Sequence, residues 1–365
     1  MSHDRLFEPL SLMRGPALEN RLMLAPLTNK QSHDDGSLSD AEIQWLAMRA
    51  AGGFALVMTA AAPVQQVGQG YHGQLGIFDD RHIEGLTRFA TAVRNNGAVS
   101  AVQLYHGGDR ADPELVGTPV APSDSSRNGA RGLSLVDVEA LRDDFIRAAL
   151  RADAAGCDGV QIHGAHGYIL AQFFSPTINQ RDDRYGGSFE NRARLLLEVI
   201  DGIRRQCRPD FQIGLRLSPE RFGMRLAEAR ELATIIMQAG QIDYLDMSLW
   251  DVTKEPHEEE FQGRSLLSYF TELPRGNVRL GAAGKIMDAA TAANLIDAGC
   301  DFVTIGRAGI LRHDFPMRVH QDPEFTSPPQ PVDVEHLLSE GATDPFIGYL
   351  RTFPGLVSEQ EPAST

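Results

Sequence analysis

Cysteine is scarce in this chain of 365 residues. Its three cysteines, Cys157, Cys207 and Cys300, lie far apart and form no CxxC pair. Zinc–thiolate and iron–sulfur sites need clustered cysteines, and secreted disulfide scaffolds need many more of them. The N-terminus has no signal-peptide pattern, and no apolar run approaches the roughly 18 residues of a membrane span. We therefore expect a cytoplasmic protein with no membrane partner.

Positive charge is also in short supply. Lysine and arginine together number 34 against 49 aspartates and glutamates, which gives a formal net charge of −15. An acidic protein is repelled by the phosphates of nucleic acids and by anionic lipid surfaces. The composition therefore argues against a nucleic-acid partner, while a basic pocket for a small anion remains compatible with it.

Eight apolar segments of strand length alternate with amphipathic segments of helix length. The predicted strands cover residues 21–27, 54–60, 98–106, 159–164, 211–218, 242–248, 277–283 and 301–306. Apolar strands separated by helices predict a parallel sheet covered by helices, and eight such units fit a closed barrel. No GxGxxG sequence follows the first strand, which argues against a dinucleotide-binding open sheet.

The predicted fold is therefore α/β, a (β/α)8 TIM barrel in a single domain that covers residues 1–355. We place the barrel at about residues 20–320 and a C-terminal extension at about 321–355, in keeping with the usual size of this fold. The polar residues 356–365 are predicted to be a flexible tail.

The ends of the last two predicted strands suggest a phosphate site. In a TIM barrel the active site lies where the strands end, and phosphates often bind after strands seven and eight. These strands run into GAAGKI (281–286) and IGRAGI (305–310), whose glycines allow close approach and whose Arg307 suits a phosphate. Gln103 and Arg216, across the mouth, suit the polar edge of a planar ring. The residues leave flavin, pyridoxal phosphate and a phosphosugar open, although no predicted strand ends in the lysine that pyridoxal phosphate needs.

His163, His166 and Tyr168 follow the fourth predicted strand in the stretch HGAHGY. Two imidazoles at this spacing can bind a metal or a substrate oxygen, or they can be structural. A zinc site needs a third ligand, and no HExxH motif is present. We assign no metal ligand, and a metal-dependent barrel hydrolase that uses the pair stays an alternative.

The chain resembles the Old Yellow Enzyme family of FMN-dependent ene-reductases over about residues 5–320, the extent of a whole barrel. Residues 163–192, HGAHGYILAQFFSPTINQRDDRYGGSFENR, resemble the most distinctive stretch of that family almost throughout. The opening LFEPLSLMRGPALENRLMLAPLTN, the later LRLSP (215–219) and DFVTIGRAGI (301–310) also fit its motifs. One departure is HGGDR at 106–110, where many relatives have HxGR, and it leaves the geometry of that loop open.

The resemblance implies a non-covalently bound FMN at the barrel mouth, reduced by NADPH or NADH. The residues that it implies for the FMN site are Ala25, Pro26, Leu27, Thr28, Ala60, Gln103, Arg216, Gly284, Gly306 and Arg307. It implies that His163 and His166 bind the carbonyl oxygen of the substrate, an enone or related activated alkene. It further implies that Tyr168 donates the proton.

Two further expectations accompany the resemblance. In some relatives a C-terminal arginine reaches the site of a neighbouring subunit, so the resemblance suggests a homodimer with Arg351 at its interface. A flavoprotein without ene-reductase turnover is the second alternative, beside the metal-dependent hydrolase.

Overall fold

The computed structural model describes residues 2–359, and its centre is a closed barrel of eight parallel strands. Each strand pairs with its neighbour in the chain, and the last pairs with the first, which confirms the predicted fold class. The strands are β1 (Leu22–Leu24), β2 (Leu56–Pro63), β3 (Val99–Tyr105), β4 (Gly159–Gly164), β5 (Gln212–Leu217), β6 (Tyr244–Ser248), β7 (Arg279–Ala283) and β8 (Phe302–Ile305).

Helices surround the barrel and build its C-terminal extension. They are α1 (Ser2–Arg5), α2 (Asp40–Ala51), α3 (His82–Asn95), α4 (Pro113–Val116), α5 (Leu135–Ala154), α6 (Ile169–Phe174), α7 (Phe189–Gln206), α8 (Leu226–Ala239), α9 (Ser268–Thr271), α10 (Ala289–Asp297), α11 (Arg307–Leu311), α12 (Phe315–Gln321), α13 (Val334–Ser339) and α14 (Asp344–Leu350). Short 3₁₀ helices cover Gln66–Gly68, Gly108–Arg110, Arg127–Gly129 and Glu259–Phe261, and Val120–Ala121 pairs with Arg131–Gly132 as a separate small sheet. Among residues 2–359, no helix combines the length and the apolar character that crossing a membrane requires.

The interior of the barrel changes character along its axis. Apolar side chains at the starts of the strands, among them Met58, Tyr244 and Phe302, form one buried cluster. Leu10 and Leu18, whose backbones pair before β1, belong to the same cluster and cover this end. Further along the strands the buried side chains are polar. The apolar plug therefore leaves only the carboxyl end of the barrel available for chemistry.

The C-terminal extension is attached to the loop after β1. The amide and the hydroxyl of Thr343 both donate to the Gln31 side-chain oxygen, at 3.0 and 2.8 Å. The Phe346 ring of α14 packs edge-on against Trp45 of α2, with ring centres 5.6 Å apart. These contacts hold α14 beside the barrel mouth.

The segment predicted to be a flexible tail, 356–365, begins with two buried residues. Leu356 is buried, and Val357 forms an isolated parallel bridge with Val332. The amide of Ser358 also donates to the Val332 carbonyl. The packed chain thus continues to Ser358, and residues 360–365 of that segment lie outside the described residues.

Candidate active site

The structure brings His163, His166 and Tyr168 together at the carboxyl end of β4. The ring centre of His163 lies 4.9 Å from the ring centre of His166 and 4.9 Å from that of Tyr168. The ring centres of His166 and Tyr168 are 6.3 Å apart. His166 and Gly167 have φ angles of 59° and 71°, in the left-handed region, and this sharp turn leads the chain from β4 into α6. A β-carbon at Gly167 would lie 2.8 Å from the Phe222 ring, so the turn needs glycine there.

Hydrogen bonds fix the orientation of both imidazoles. His163 Nδ1 accepts the Ala165 amide hydrogen at 3.2 Å, which in a neutral ring places the proton on Nε2 as a donor. The His166 amide donates to the Ser218 hydroxyl at 3.0 Å, and His166 Nε2 lies 2.7 Å from the Ser248 hydroxyl. The pair is therefore held by the ends of β5 and β6 as well as by its own loop.

Both imidazoles are neutral at physiological pH. Burial lowers the pKa of His163 well below its usual range, with the charges of His166 and Arg216 acting in the same direction. Burial likewise lowers the pKa of His166 to about 3, with help from Arg216 and Arg110. A neutral imidazole offers one N–H donor without carrying a charge. With the Ser248 hydroxyl donating to His166 Nε2, the N–H of His166 is at Nδ1, and both rings can then donate to an oxygen on which negative charge develops.

Arg216 is a buried cation that pairs with Asp246 but makes no hydrogen bond to a described residue. Strand register places His163, Arg216 and Asp246 side by side on β4, β5 and β6. The Arg216 side chain is 7% exposed and hydrogen-bonds to no described residue; its Nε lies 3.5 Å from Asp246 Oδ2. A buried guanidinium with unused donors fits the acceptor edge of a flavin ring. This observation supports the expected FMN site.

The amide of Gln103 is partly committed to the protein. Its Nε2 donates to the Gln161 oxygen at 2.7 Å, and Gln161 Nε2 lies 3.4 Å from Asp246 Oδ2. The carboxamide oxygen of Gln103 has no protein donor among the described residues and can accept from a bound ring. Gln161 and Asp246 thus support Gln103 and Arg216 from below.

The remaining residues expected at the FMN site line the same end of the barrel. They lie on the loop after β1 (Ala25, Pro26, Leu27, Thr28), on β2 (Ala60) and after β7 and β8 (Gly284, Gly306, Arg307). Their roles stay predictions.

The two glycines near the expected phosphate differ in what surrounds them. Gly284 has φ 154°, and an added β-carbon would lie 2.8 Å from the Asp251 amide nitrogen. At Gly306 an added β-carbon would meet no atom within 4 Å. Arg307 is exposed, and its guanidinium donates to the Gln330 side-chain oxygen at 3.2 Å. Open space beside Gly306 and an arginine without a described carboxylate partner are compatible with a phosphate.

The unusual HGGDR loop keeps its arginine at the site. Asp109 is buried, and its carboxylate accepts from Gln172 Nε2 at 2.8 Å and from the Ser125 hydroxyl at 3.1 Å. Arg110 Nη1 then donates to the His166 carbonyl at 3.1 Å, and its guanidinium lies 5.2 Å from the Tyr168 ring centre. The additional aspartate therefore anchors the loop and leaves Arg110 in contact with the histidine pair.

Several side chains at the mouth were not predicted from the sequence. Tyr105, at the end of β3, lies with its ring centre 4.6 Å from that of Tyr168. Ser218 and Ser248 contact His166, and Asp246 faces Arg216. Each occupies the end of a predicted strand, and that position is the signal that could have identified it.

The contacts of the histidine pair do not favour a metal. His166 Nε2 is engaged by the Ser248 hydroxyl, and the ring nearest to both histidines is the phenol of Tyr168. Residues 2–359 contain no group of three or more His, Cys, Asp or Glu side chains placed to hold a metal ion. The hydrolase alternative therefore lacks the third ligand that it requires.

We expect His106 to make the protein less stable in acid. Burial lowers its pKa to about 3 from an ordinary value of 6.5, and its Nε2 has no described partner. Between these two values only the unfolded chain takes up this proton. The stability that the neutral His106 contributes is therefore fully present above pH 6.5 and decreases as the pH falls towards 3. The loss at pH 5 should be about 2 kcal/mol for this one residue.

Urea unfolding of the wild type and of His106→Gln across this range measures the effect. The variant should show a dependence of the unfolding free energy on pH that is shallower by about 1.4 kcal/mol per pH unit, which corresponds to one proton. The same slope in both proteins would contradict the assignment.

Comparison with known proteins identifies the family. The profile of the NADH:flavin oxidoreductase / NADH oxidase family matches residues 5–324. The probable NADH-dependent flavin oxidoreductase YqiG of Bacillus subtilis (strain 168) is 36% identical, with 87% of this chain and 88% of the relative covered. The NADH:fumarate oxidoreductase of Klebsiella pneumoniae (strain 342) is 34% identical over 87% of this chain, which spans only 36% of that longer protein.

The structural comparison agrees with the sequence comparison. The Old Yellow Enzyme homologue of Zymomonas mobilis superposes with a TM-score of 0.80 at 28% identity and covers 93% of this chain and 98% of its own. The chain therefore belongs to the NADH:flavin oxidoreductase / NADH oxidase family, that of the Old Yellow Enzymes, and is an FMN enzyme that takes its electrons from NADH or NADPH.

Proposed function

We propose that this enzyme is an ene-reductase, which reduces the carbon–carbon double bond of α,β-unsaturated carbonyl compounds. The observation that carries the proposal is the arrangement of His163, His166 and Tyr168 at one end of the barrel, beside the buried guanidinium of Arg216. Two neutral N–H donors and a phenol are what an enone needs at its two reacting ends. The oxygen needs donors, and the α-carbon needs a proton.

Each protein group has a separate task in this reaction. FMN, when bound, supplies the hydride that it has received from NAD(P)H. His163 and His166 donate hydrogen bonds to the carbonyl oxygen and stabilise the negative charge that develops there as the β-carbon is reduced. Tyr168 gives its phenolic proton to the α-carbon and recovers one from solvent. One hydride and one proton are thus added across the double bond, and NAD(P)H is oxidised to NAD(P)⁺.

Arg216 and Gln103 would hold the polar edge of the FMN ring, and Gly284, Gly306 and Arg307 would hold its phosphate. The burial of Arg216 supports its role at the FMN ring, because a cation shielded from water favours a partner on which negative charge increases.

Arg351, exposed at the end of α14, remains the residue that we would test for a contact between subunits of a homodimer. The cytoplasmic location also stays a prediction.

An anaerobic experiment tests the proposed reaction directly. The purified yellow protein is mixed with one equivalent of NADPH, and in parallel with one equivalent of NADH, and the loss of flavin absorbance is recorded. Cyclohexenone is then added, and we expect the colour to return while cyclohexanone forms in an amount equal to the flavin. A protein that bleaches and stays bleached would be a flavoprotein without ene-reductase turnover. A colourless protein with stoichiometric zinc would instead favour the hydrolase.

A further inference from the structure

Lys30 is a cation near the barrel mouth that no carboxylate neutralises. The chain has three lysines, and all of them lie within the described residues. Lys254 pairs with Glu220, and Lys285 pairs with Asp251 at 3.0 Å. Lys30 forms no ion pair with any described residue, and its ammonium lies 5.9 Å from the Tyr71 ring centre and 5.6 Å from that of Tyr349. An ammonium beside aromatic rings is attracted to their faces and keeps part of its surface free for an anion.

An open cavity of about 410 Å³ lies beside this ammonium. Its wall includes Lys30, Ser32, Gly73 and Tyr349, together with Asp34 and His72 at its rim. Asp34 is its one carboxylate, and Asp34 Oδ1 faces His72 Nδ1 at 3.4 Å. No described ion pair joins Asp34 to Lys30, so the ammonium keeps its hydrogen-bond donors available to an anion that enters the cavity.

The two tyrosines connect Lys30 to the active site. The backbone next to Tyr71 lies close to Tyr105, because a β-carbon added at Gly70 would be 2.9 Å from the Tyr105 hydroxyl. The Tyr105 ring in turn lies against the Tyr168 ring. Burial raises the pKa of Tyr71 and of Tyr349, and the Tyr71 hydroxyl has no hydrogen-bond partner among the described residues. A series of aromatic residues, Tyr71 and then Tyr105, thus leads from Lys30 to Tyr168.

We propose that Lys30 is a specificity-determining residue that binds the carboxylate of an activated alkene whose ketone oxygen lies between His163 and His166. The favoured substrates are then α,β-unsaturated ketones with a carboxylate at the other end of the double bond. The ammonium donates a charge-assisted hydrogen bond to that carboxylate, which a neutral enone cannot accept. This inference rests on the proposed ene-reductase function.

Two substrates that differ only in this group provide the test. They are 4-oxopent-2-enoate and pent-3-en-2-one, in which a methyl group replaces the carboxylate. In the Lys30→Met variant we expect kcat/KM for the oxoenoate to fall by about ten- to a hundredfold, the usual worth of a hydrogen bond to a charged group. The value for pentenone should stay within about twofold, because that substrate makes no contact with the lost charge.

Two controls separate a specific contact from a general effect. Lys30→Arg keeps the charge and should restore most of the oxoenoate rate. Arg88→Gln removes an exposed positive charge on α3 and should change neither substrate. Methionine has the same unbranched start as lysine, so the strain of the left-handed backbone at Lys30 is unchanged.

Calorimetry with 4-oxopentanoate, the saturated product, gives a readout that needs no turnover. Its Kd should rise in Lys30→Met by the same factor as kcat/KM falls, and salt at about 0.5 M should weaken its binding only to proteins that keep the cation. An equal loss for both substrates, or an unchanged Kd, would overturn the proposal. If the wild type reduces neither substrate, the ene-reductase function fails, while an unchanged Kd beside active pentenone reduction removes the role of Lys30 alone.

Discussion

Replacing Tyr168 with phenylalanine should slow the reoxidation of the reduced enzyme by cyclohexenone by about 10²- to 10⁴-fold, the usual contribution of a positioned general acid. The ring keeps its packing against His163 and Tyr105, whose centres lie 4.9 and 4.6 Å away, so the loop should keep its shape. Only the proton for the α-carbon is lost. Reduction of the protein by NADPH needs no such proton and should stay within about twofold, since general acid catalysis acts only on the step that uses it.

Stopped-flow absorbance of the two half-reactions measures this separation. Tyr269→Phe is the matched control, because its phenol donates to the Phe261 carbonyl at 2.8 Å and its described ring contacts are with Phe261, Arg230 and Arg264, not with the histidine pair. That variant should resemble the wild type in both steps. An equal decrease of both half-reactions in Tyr168→Phe would show that Tyr168 has a structural role instead.

The histidine pair should account for the second large effect. We expect His163→Ala and His166→Ala each to lower kcat/KM for cyclohexenone by about 10²- to 10³-fold, the cost of one lost donor to a developing oxyanion. The double variant should lose less than the product of the two factors, because both donors serve the same oxygen and act as a unit. Steady-state kinetics of the single and double variants, corrected for flavin content, provide the measurement.

Substitution by asparagine refines this test. Asparagine keeps an N–H donor and should recover part of the activity that alanine loses. His320→Gln removes an exposed imidazole of α12, outside the barrel mouth, and should have no effect. If alanine at either position of the pair raised KM while leaving kcat unchanged, the pair would bind the substrate without stabilising its transition state.

The barrel was predictable because each strand is a short apolar run between helices, and the eight runs appear in the sequence in their structural order. The limits of the strands were less predictable. The first predicted strand, 21–27, contracts to Leu22–Leu24, since the chain leaves the sheet near Pro26, which has no amide hydrogen for a ladder. The second strand extends to Pro63, and its pairing with β3 shifts register between Met58 and Ala61. Such irregularities depend on contacts with the neighbouring strand, so the local sequence pattern does not predict them.

The active-site residues divide in the same way. His163, Arg216 and Gln103 could be selected because each occupies a strand near its end, where the fold places chemistry. The contact between His166 and Ser248 joins residues 82 positions apart and exists only once the barrel has closed. The pairing of Tyr349 with Lys30 is still more remote, because it needs both the barrel and the docking of α14.

The attachment of α14 by Thr343 and Gln31 has an evolutionary consequence. The family profile matches residues 5–324, so the chemical machinery belongs to the shared part of the chain, whereas Tyr349 comes from beyond it. The segment after residue 324 lies outside the matched range, and here it supplies one wall of the cavity beside Lys30. Exchanging the residues after 324 between relatives should therefore transfer substrate preference while the underlying reaction is retained.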